Sequence, residues 1–386
     1  MSIRHAGMVG LGAVTGYGWG RDALWRGLVS GKPAAALVGG YGRTDDEAGW
    51  VVRVPDDGDE TEGPTRFIRA MRAAVREAVD DAYARGWRPG AKVGLLHAVV
   101  LGDPELWRTF MPAEANQLRI RDYLALVPST PISVLMQEYG FHGPAMNVSA
   151  MCTSGSAGLL TAKMWLDAGI VDDVVFVTTD LSATPHIVRQ FVRLGVAITD
   201  AEPLAACRPF QAGSRGFTFG EASIGYVLSK RSGDPYTNVL GGAMSHDGFH
   251  VTSVDPALTN VIGCYVDALR NANVDPSEVA YFNAHGPGTA QCDGAEATAV
   301  EALFPSTTRM FSVKPLAGHC QAAAASVEIA ATALSHDRGI IPAAPKVAAG
   351  HPQLLDGATP CVDGITVKSS LGMGGHNAAV VLAPGR

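Results

Sequence analysis

The sequence predicts an α/β protein whose sheets are largely buried and whose chain is built as two similar halves. Three observations carry this. Apolar, β-branched runs alternate with alanine-rich helical stretches along the whole chain. Hydrophobic residues make up 47% of the 386 positions against 17% charged, with 45 glycines, which is the balance of a chain that buries a large core and not of disorder. The strand–loop–helix theme of the first half then recurs in the second.

In order, residues 69–84 place apolar residues at helical spacing, and 93–101 read as a buried strand. A short strand is expected at 146–151 and a helix at 158–168, followed by strands at 174–178 and 222–229. The second half supplies a helix at 257–271, a strand at 279–283, a helix at 293–303 and another at 322–334. Strands at 365–369 and 378–382 close the chain. The polar stretch 229–238 (SKRSGDPYTN) is the expected seam, dividing 1–232 from 233–386.

Composition excludes several function classes. A formal net charge of −7 gives no overall basis for nucleic-acid binding, though a local basic patch could still meet an acidic protein. The N-terminus lacks a leader's basic segment, apolar core and cleavage site. No apolar run approaches the ~18 residues of a membrane span, since Asp167, Asp172 and Asp173 interrupt 164–177. A cytoplasmic protein without a membrane span is expected. Six scattered cysteines with no Cys-x-x-Cys pair argue against a disulfide framework or a zinc site. His246, His250 and Asp247 lack a convincing third ligand, so they read as structural and no metal or cofactor is expected. Gly10-Leu-Gly12-Ala-Val-Thr-Gly16 is one residue too long for a dinucleotide fingerprint, and its glycines read as serving tight turns.

One cysteine differs from the rest. In Val148-Ser-Ala-Met-Cys-Thr-Ser-Gly-Ser-Ala-Gly158 a strand ends, Cys152 follows, and small residues lead into a helix. A thiol at a helix N-terminus meets unpaired N–H groups and the positive end of the dipole, which favour the thiolate. Small neighbours also admit a bulky thioester. Two histidines occupy glycine-rich loops, in Asn283-Ala-His-Gly-Pro-Gly-Thr289 and Ser312-Val-Lys-Pro-Leu-Ala-Gly-His319. Singly, each of the three fits a buried structural role. Together they offer a nucleophile and two neutral imidazole N–H donors for a thioester or enolate oxygen.

These segments resemble the elongating β-ketoacyl-acyl carrier protein synthases of the thiolase superfamily. Met151-Cys-Thr-Ser-Gly155 is similar to the family's nucleophile segment, and His285-Gly-Pro-Gly-Thr289 to its His-Gly-Thr-Gly-Thr loop, with Asp293 and Glu296 following in place. Lys314, Gly318-His319 and Glu328 resemble its lysine, second histidine and glutamate, and Gly372-Met-Gly-Gly-His-Asn377 its C-terminal glycine-rich loop. Gly10-Leu-Gly with Trp25, Leu28, Gly31 and Lys32, then Arg208-Pro-Phe and Arg215 to Glu221, then Asp247, His250, Thr252, Asp255 and Pro256, extend the resemblance in order over nearly the whole chain.

The resemblance implies the thiolase fold, two α/β halves forming a five-layer αβαβα sandwich. It implies that Cys152 takes an acyl group, and that the backbone N–H groups of Cys152 and Met373, with Gly374 in the same loop, form the oxyanion hole and gate. His285 and His319 would stabilise the enolate left when a malonyl thioester loses carbon dioxide, Lys314 would orient them, and Glu328, Asp293 and Thr289 would support the site. The implied partners are an acyl carrier protein bearing phosphopantetheine-linked acyl and malonyl groups, met by Arg66 and Arg69, and a second subunit, identical or related. Met373 replaces the usual phenylalanine, His376 brings a titratable group toward the site, Pro287 stiffens the first histidine loop, and Cys292 stands where asparagine is common. With the compact stretch between Leu101 and Pro144, these departures point to a polyketide-like or other specialised synthase. A non-condensing acyltransferase and an inactive chain-length-factor-like subunit are the alternatives. A degradative thiolase would need a second cysteine in the loop at 371–376, which has none.

Overall fold

The computed structural model describes residues 5–111 and 119–385. The first residues of the stretch read for a leader, and part of the stretch between Leu101 and Pro144, lie outside them.

The strands of the first half are β1 (Ala6–Thr15), β2 (Gly18–Trp19), β3 (Ala36–Gly39), β4 (Ala48–Val51), β5 (Val93–Ala98), β6 (Ala145–Val148), β7 (Asp173–Asp180) and β8 (Ala222–Ser229). Those of the second are β9 (Thr237–His246), β10 (Val279–Asn283), β11 (Arg309–Phe311), β12 (Ile340–Pro342), β13 (Ala358–Pro360), β14 (Ile365–Gly372) and β15 (His376–Pro384). Apart from β2, which pairs only with β1, and the separate hairpins β3–β4 and β12–β13, all lie in one path, β11-β10-β14-β15-β9-β1-β8-β7-β5-β6.

That path is a palindrome. Reading outward from the β1–β9 junction, β8, β7, β5 and β6 correspond to β15, β14, β10 and β11. In both arms the two outer pairings are parallel and the inner ones antiparallel. The junction spans three residue pairs, Ala6↔Val239 to Met8↔Thr237. One unit is therefore built twice, although its two copies share little sequence.

Helices complete five layers. Arg66–Ala84 covers the outer face of β1, β7 and β8, and Thr259–Ala272 the outer face of β9 and β15. Between the arms, Ser154–Asp167 and Ala324–Arg338 pack on each other and on strands of both arms. Ala324–Arg338 is buried on every side from Ala324 to Ser335, which is why it reads as apolar without a polar stripe. The two central helices cross at Gly155, where a Cβ would lie 2.6 Å from Ser326 Oγ.

Of the N-terminal glycines, Gly16 serves a turn, the one between β1 and β2, but Gly10 and Gly12 do not. Gly10 and Gly12 lie inside β1, where Cβ atoms would sit 2.2 Å and 2.1 Å from the carbonyl oxygens of Ala78 and Ala74. The stripe Ala70, Ala74, Ala78 and Ala82, spaced by four on the helix Arg66–Ala84, presses on that bare strand and is fully buried. Thr65 starts this helix as an N-cap, accepting from Ile68 N–H at 3.3 Å. The expected polar seam is shorter than its sequence suggested: β9 already begins at Thr237, because that residue pairs with Met8.

Candidate active site

Cys152 sits in a single 3-10 turn, Met151–Thr153, between β6 and the helix Ser154–Asp167. Met151 takes a left-handed φ of 49°, and this sharp reversal aims the sulfur into a cavity of about 430 Å³. His285, His319, Gln321, Phe191 and Met373 line the same cavity. A second, apolar cavity of about 160 Å³ adjoins it and shares Cys152, Phe191 and Gln321; Val100, Ile187 and Phe219 are among its walls. A larger hollow of about 840 Å³ lies beside Trp19, Asp59 and Arg76, far from this chemistry, and its charged walls are largely paired.

The histidine loops are held from below. Glu296 accepts the N–H groups of His285 and Gly286 at 2.7 and 2.8 Å, and Asp293 those of Gly288 and Phe210 at 3.1 and 3.0 Å. Burial pushes the Asp293 carboxyl up to about 7 and Glu296 up as well. Gly288, at φ 82°, comes so near Gly216 O that a Cβ would lie at 2.4 Å. Thr289 stands at the N-terminal end of the helix Ala290–Leu303, without a side-chain capping bond, and lines the cavity. The first half clasps His319, whose N–H donates to Thr218 O at 2.8 Å while its carbonyl accepts from Gly220 N–H at 2.9 Å.

Both imidazoles carry their proton on Nε2. Lys314 Nζ lies 3.2 Å from His285 Nδ1 and also donates to the His285 carbonyl and to Glu328. An ammonium only donates, so this Nδ1 accepts. His319 Nδ1 accepts the Gln321 N–H at 3.1 Å, which leads to the same tautomer. The rings stand 5.4 Å apart at 85°. Burial, and then the charge of Lys314, hold both far below the usual histidine range, so both are neutral donors.

Three expectations change. The helix terminus does not leave Cys152 as a thiolate: the residue is 6% exposed, and burial pushes the thiol up to about 11 against the opposing pull of Lys314 and the Met373 N–H. Arg66 is buried, donating to both oxygens of Glu221 at 2.8 and 3.1 Å and to Val54 O at 2.7 Å, so it has no free guanidinium for a partner. Arg69 stays half-exposed, with one donor on Gly63 O. His376 turns to His246, its cross-strand neighbour, at a ring distance of 4.8 Å and is absent from the cavity wall. His246 and His250 accept backbone N–H groups of their own turns, and among the described residues no group of three His, Cys, Asp or Glu could hold a metal.

Met373 lines the cavity beside Cys152. The loop from Gly372 to His376 is a tight hairpin between β14 and β15 with Gly374 and Gly375 at φ 89° and 85°, and it turns the Met373 N–H onto the Cys152 sulfur. Sequence reasoning missed Lys368, a buried lysine on β14 whose Nζ lies 2.7 Å from Glu328 Oε2. The available signal was a charged residue inside the otherwise uncharged strand 365–372.

Both halves of the chain match known proteins. Residues 7–233 match the profile described as β-ketoacyl synthase, N-terminal domain, and residues 236–348 the corresponding C-terminal domain. The chloroplastic 3-oxoacyl-[acyl-carrier-protein] synthase I of Hordeum vulgare is 30% identical over 65% of this chain and 58% of its own length. The tetracenomycin polyketide synthase ketoacyl synthase alpha subunit of Streptomyces glaucescens is 28% identical over 87% of this chain and 85% of its own. Among solved structures, a type II polyketide ketosynthase in complex with its acyl-carrier protein superposes with a TM-score of 0.85 at 21% identity, covering 98% of this chain and 99% of that one. A Xenorhabdus doucetiae ketosynthase in complex with its chain length factor gives 0.82 at 23% identity, covering 99% and 98%. The palindromic five-layer architecture is thus the thiolase fold, and this chain belongs to the β-ketoacyl synthase family.

Proposed function

We propose that Cys152 carries the growing acyl chain and that His285 and His319 receive the enolate oxygen of a malonyl thioester in a decarboxylative condensation. The carrying observation is that two Nε2–H donors of fixed tautomer and one thiol line a single cavity. In acyl transfer the sulfur attacks the incoming thioester, the carrier thiolate leaves, and the thiol proton passes to that leaving sulfur. The N–H groups of Cys152 and Met373 stabilise the tetrahedral oxyanion. Loss of carbon dioxide from the malonyl unit then leaves its electron pair in an enolate held by the two imidazoles. The enolate carbon attacks the acyl carbonyl, and the Cys152–acyl bond breaks to return the sulfur. Lys314, tied down by Glu328, presents His285 in the donating tautomer. Asp293 and Thr289 support the loop, and Gly374 lets Met373 act as the gate.

The thioester donor is an acyl carrier protein, with Arg69 as the remaining candidate contact. A second subunit, the same chain or a related one, covers the β6 edge, where Met146 (41% exposed), Val134, Tyr123 and Met164 (60%) leave apolar surface unburied. Residues 1–232 and 233–386 are the two structural units, and a cytoplasmic location suits the thioester substrates. Among the described residues, no helix is long and apolar enough to cross a membrane.

Acyl-enzyme mass and carbon dioxide release from malonyl carrier protein test the reading together. Cys152→Ala should abolish acylation, whereas His285→Ala and His319→Ala should acylate normally and lose condensation by on the order of 100-fold or more. A wild-type protein that acylates Cys152 but releases no carbon dioxide is a non-condensing acyltransferase, and the condensation reading fails.

A further inference from the structure

Beneath the imidazoles lies a buried ion triad. Glu328 gives one carboxylate oxygen to Lys314 and the other to Lys368, at 2.7 Å, and all three side chains are 0–1% exposed. Lysine is almost never fully buried unless paired, and Lys314 alone would neutralise Glu328. A second lysine therefore answers some other charge. Lys368 reaches the triad from β14, in register with Asn283 of β10, two residues before His285. Glu296 approaches the same loop from the helix Ala290–Leu303, holding the His285 and Gly286 N–H groups. The Tyr265 hydroxyl reaches Ser369 Oγ at 2.6 Å, and Asp293 completes the titratable ring. Two lysines thus stand against Glu328 and Glu296. Without Lys368 the floor of the site would carry excess negative charge, directly under the place where condensation must create an enolate.

We propose that Lys368 is a positioning and charge-balancing residue for condensation: it holds Glu328, and through it Lys314, beneath His285 and offsets the second carboxylate so that negative charge can develop at the imidazole donors. This rests on reading His285 and His319 as the enolate donors. The charge of Lys368 also adds to the forces keeping both imidazoles neutral. Its loss therefore has a signature that a purely structural residue would not leave.

The test compares wild type with Lys368→Met in the full chain, measuring Cys152 acylation by intact mass and carbon dioxide release from malonyl carrier protein as separate steps. Acylation should stay within about threefold, while kcat for carbon dioxide release falls roughly tenfold or more at unchanged KM. Removing a neighbouring cation raises the proton affinity of the imidazoles, so the acid limb of the pH profile should move to higher pH. If Lys368→Met does not fold, Lys368→Gln, polar but uncharged, is the deciding variant. Carbon dioxide release at the wild-type rate with an unmoved pH profile overturns the proposal, as does a fall in both steps in proportion to lost stability. A wild type that acylates but never releases carbon dioxide instead removes the enolate reading, and this proposal with it.

Discussion

Alkylation of Cys152 in the resting protein is expected to keep rising with pH well beyond the range of an ordinary thiol. The sulfur is walled in by both halves of the chain, and burial pushes it up to about 11 although Lys314 and the Met373 N–H pull the other way. At pH 8 such a group holds on the order of one thiolate in a thousand, against about a quarter for a free thiol of pKa ~8.5. Ionisation alone should therefore slow its reaction with iodoacetamide on the order of 200-fold relative to a free cysteine. The second-order rate, followed by intact mass and corrected with Cys152→Ala for the half-exposed Cys292 and Cys361, should climb about tenfold per pH unit between pH 7 and roughly 10. Lys314→Met should lower the rate further at every pH, because it removes a charge that favours the thiolate. A plateau at or below pH 8.5 would refute the reasoning and show that the helix terminus outweighs burial. A late-titrating thiol fits the proposed exchange, in which the proton leaves together with the departing carrier sulfur.

Two further outcomes concern stability. Gly12→Ala places a methyl group 2.1 Å from Ala74 O, so the helix Arg66–Ala84 must lift off β1 at a cost of about 3 kcal/mol or more; an unchanged urea midpoint would contradict this contact. His97 is fully buried with neither ring nitrogen hydrogen-bonded among the described residues, and burial lowers it to about 4. Its folded pKa is depressed below that of the unfolded chain, so the stability it contributes is present above about pH 6.5 and is lost as pH falls toward 4, by on the order of 3 kcal/mol. His97→Leu should flatten the acid side of the stability curve by about that amount, and an equally steep loss in the variant would refute the assignment.

Much of the site was legible because its chemistry is local. Cys152, His285 and Lys314 each follow a strand within a few residues, His319 comes one short helix later, and small or glycine neighbours mark the turns. Features set by partners far along the chain were not legible. Arg66 looks like a solvent-facing arginine at a helix start until Glu221, 155 residues away, takes both ends of its guanidinium. Lys368, between Val367 and Ser369, looks like the polar position of an alternating strand until Glu328 is placed beneath it. The glycines of β1 look like turn glycines until the alanine stripe of a helix some sixty residues later lies on them. The state of the Cys152 thiol was misjudged for the same reason: the helix end is visible in the sequence, and the walls that dehydrate the sulfur are not.

The palindromic sheet places a second copy of the nucleophile's turn in the other half. After β11, Gln321–Ala323 forms a 3-10 turn ahead of Ala324–Arg338, just as Met151–Thr153 precedes Ser154–Asp167 after β6. Gln321 repeats the left-handed backbone of Met151, at φ 45° against 49°, so Ala322 is the counterpart of Cys152. One bend has been put to two uses. In the first half it offers a sulfur; in the second its Gln321 N–H fixes the proton of His319. The twin that gave up a reactive atom became the rigid fixture that decides which way its neighbour donates.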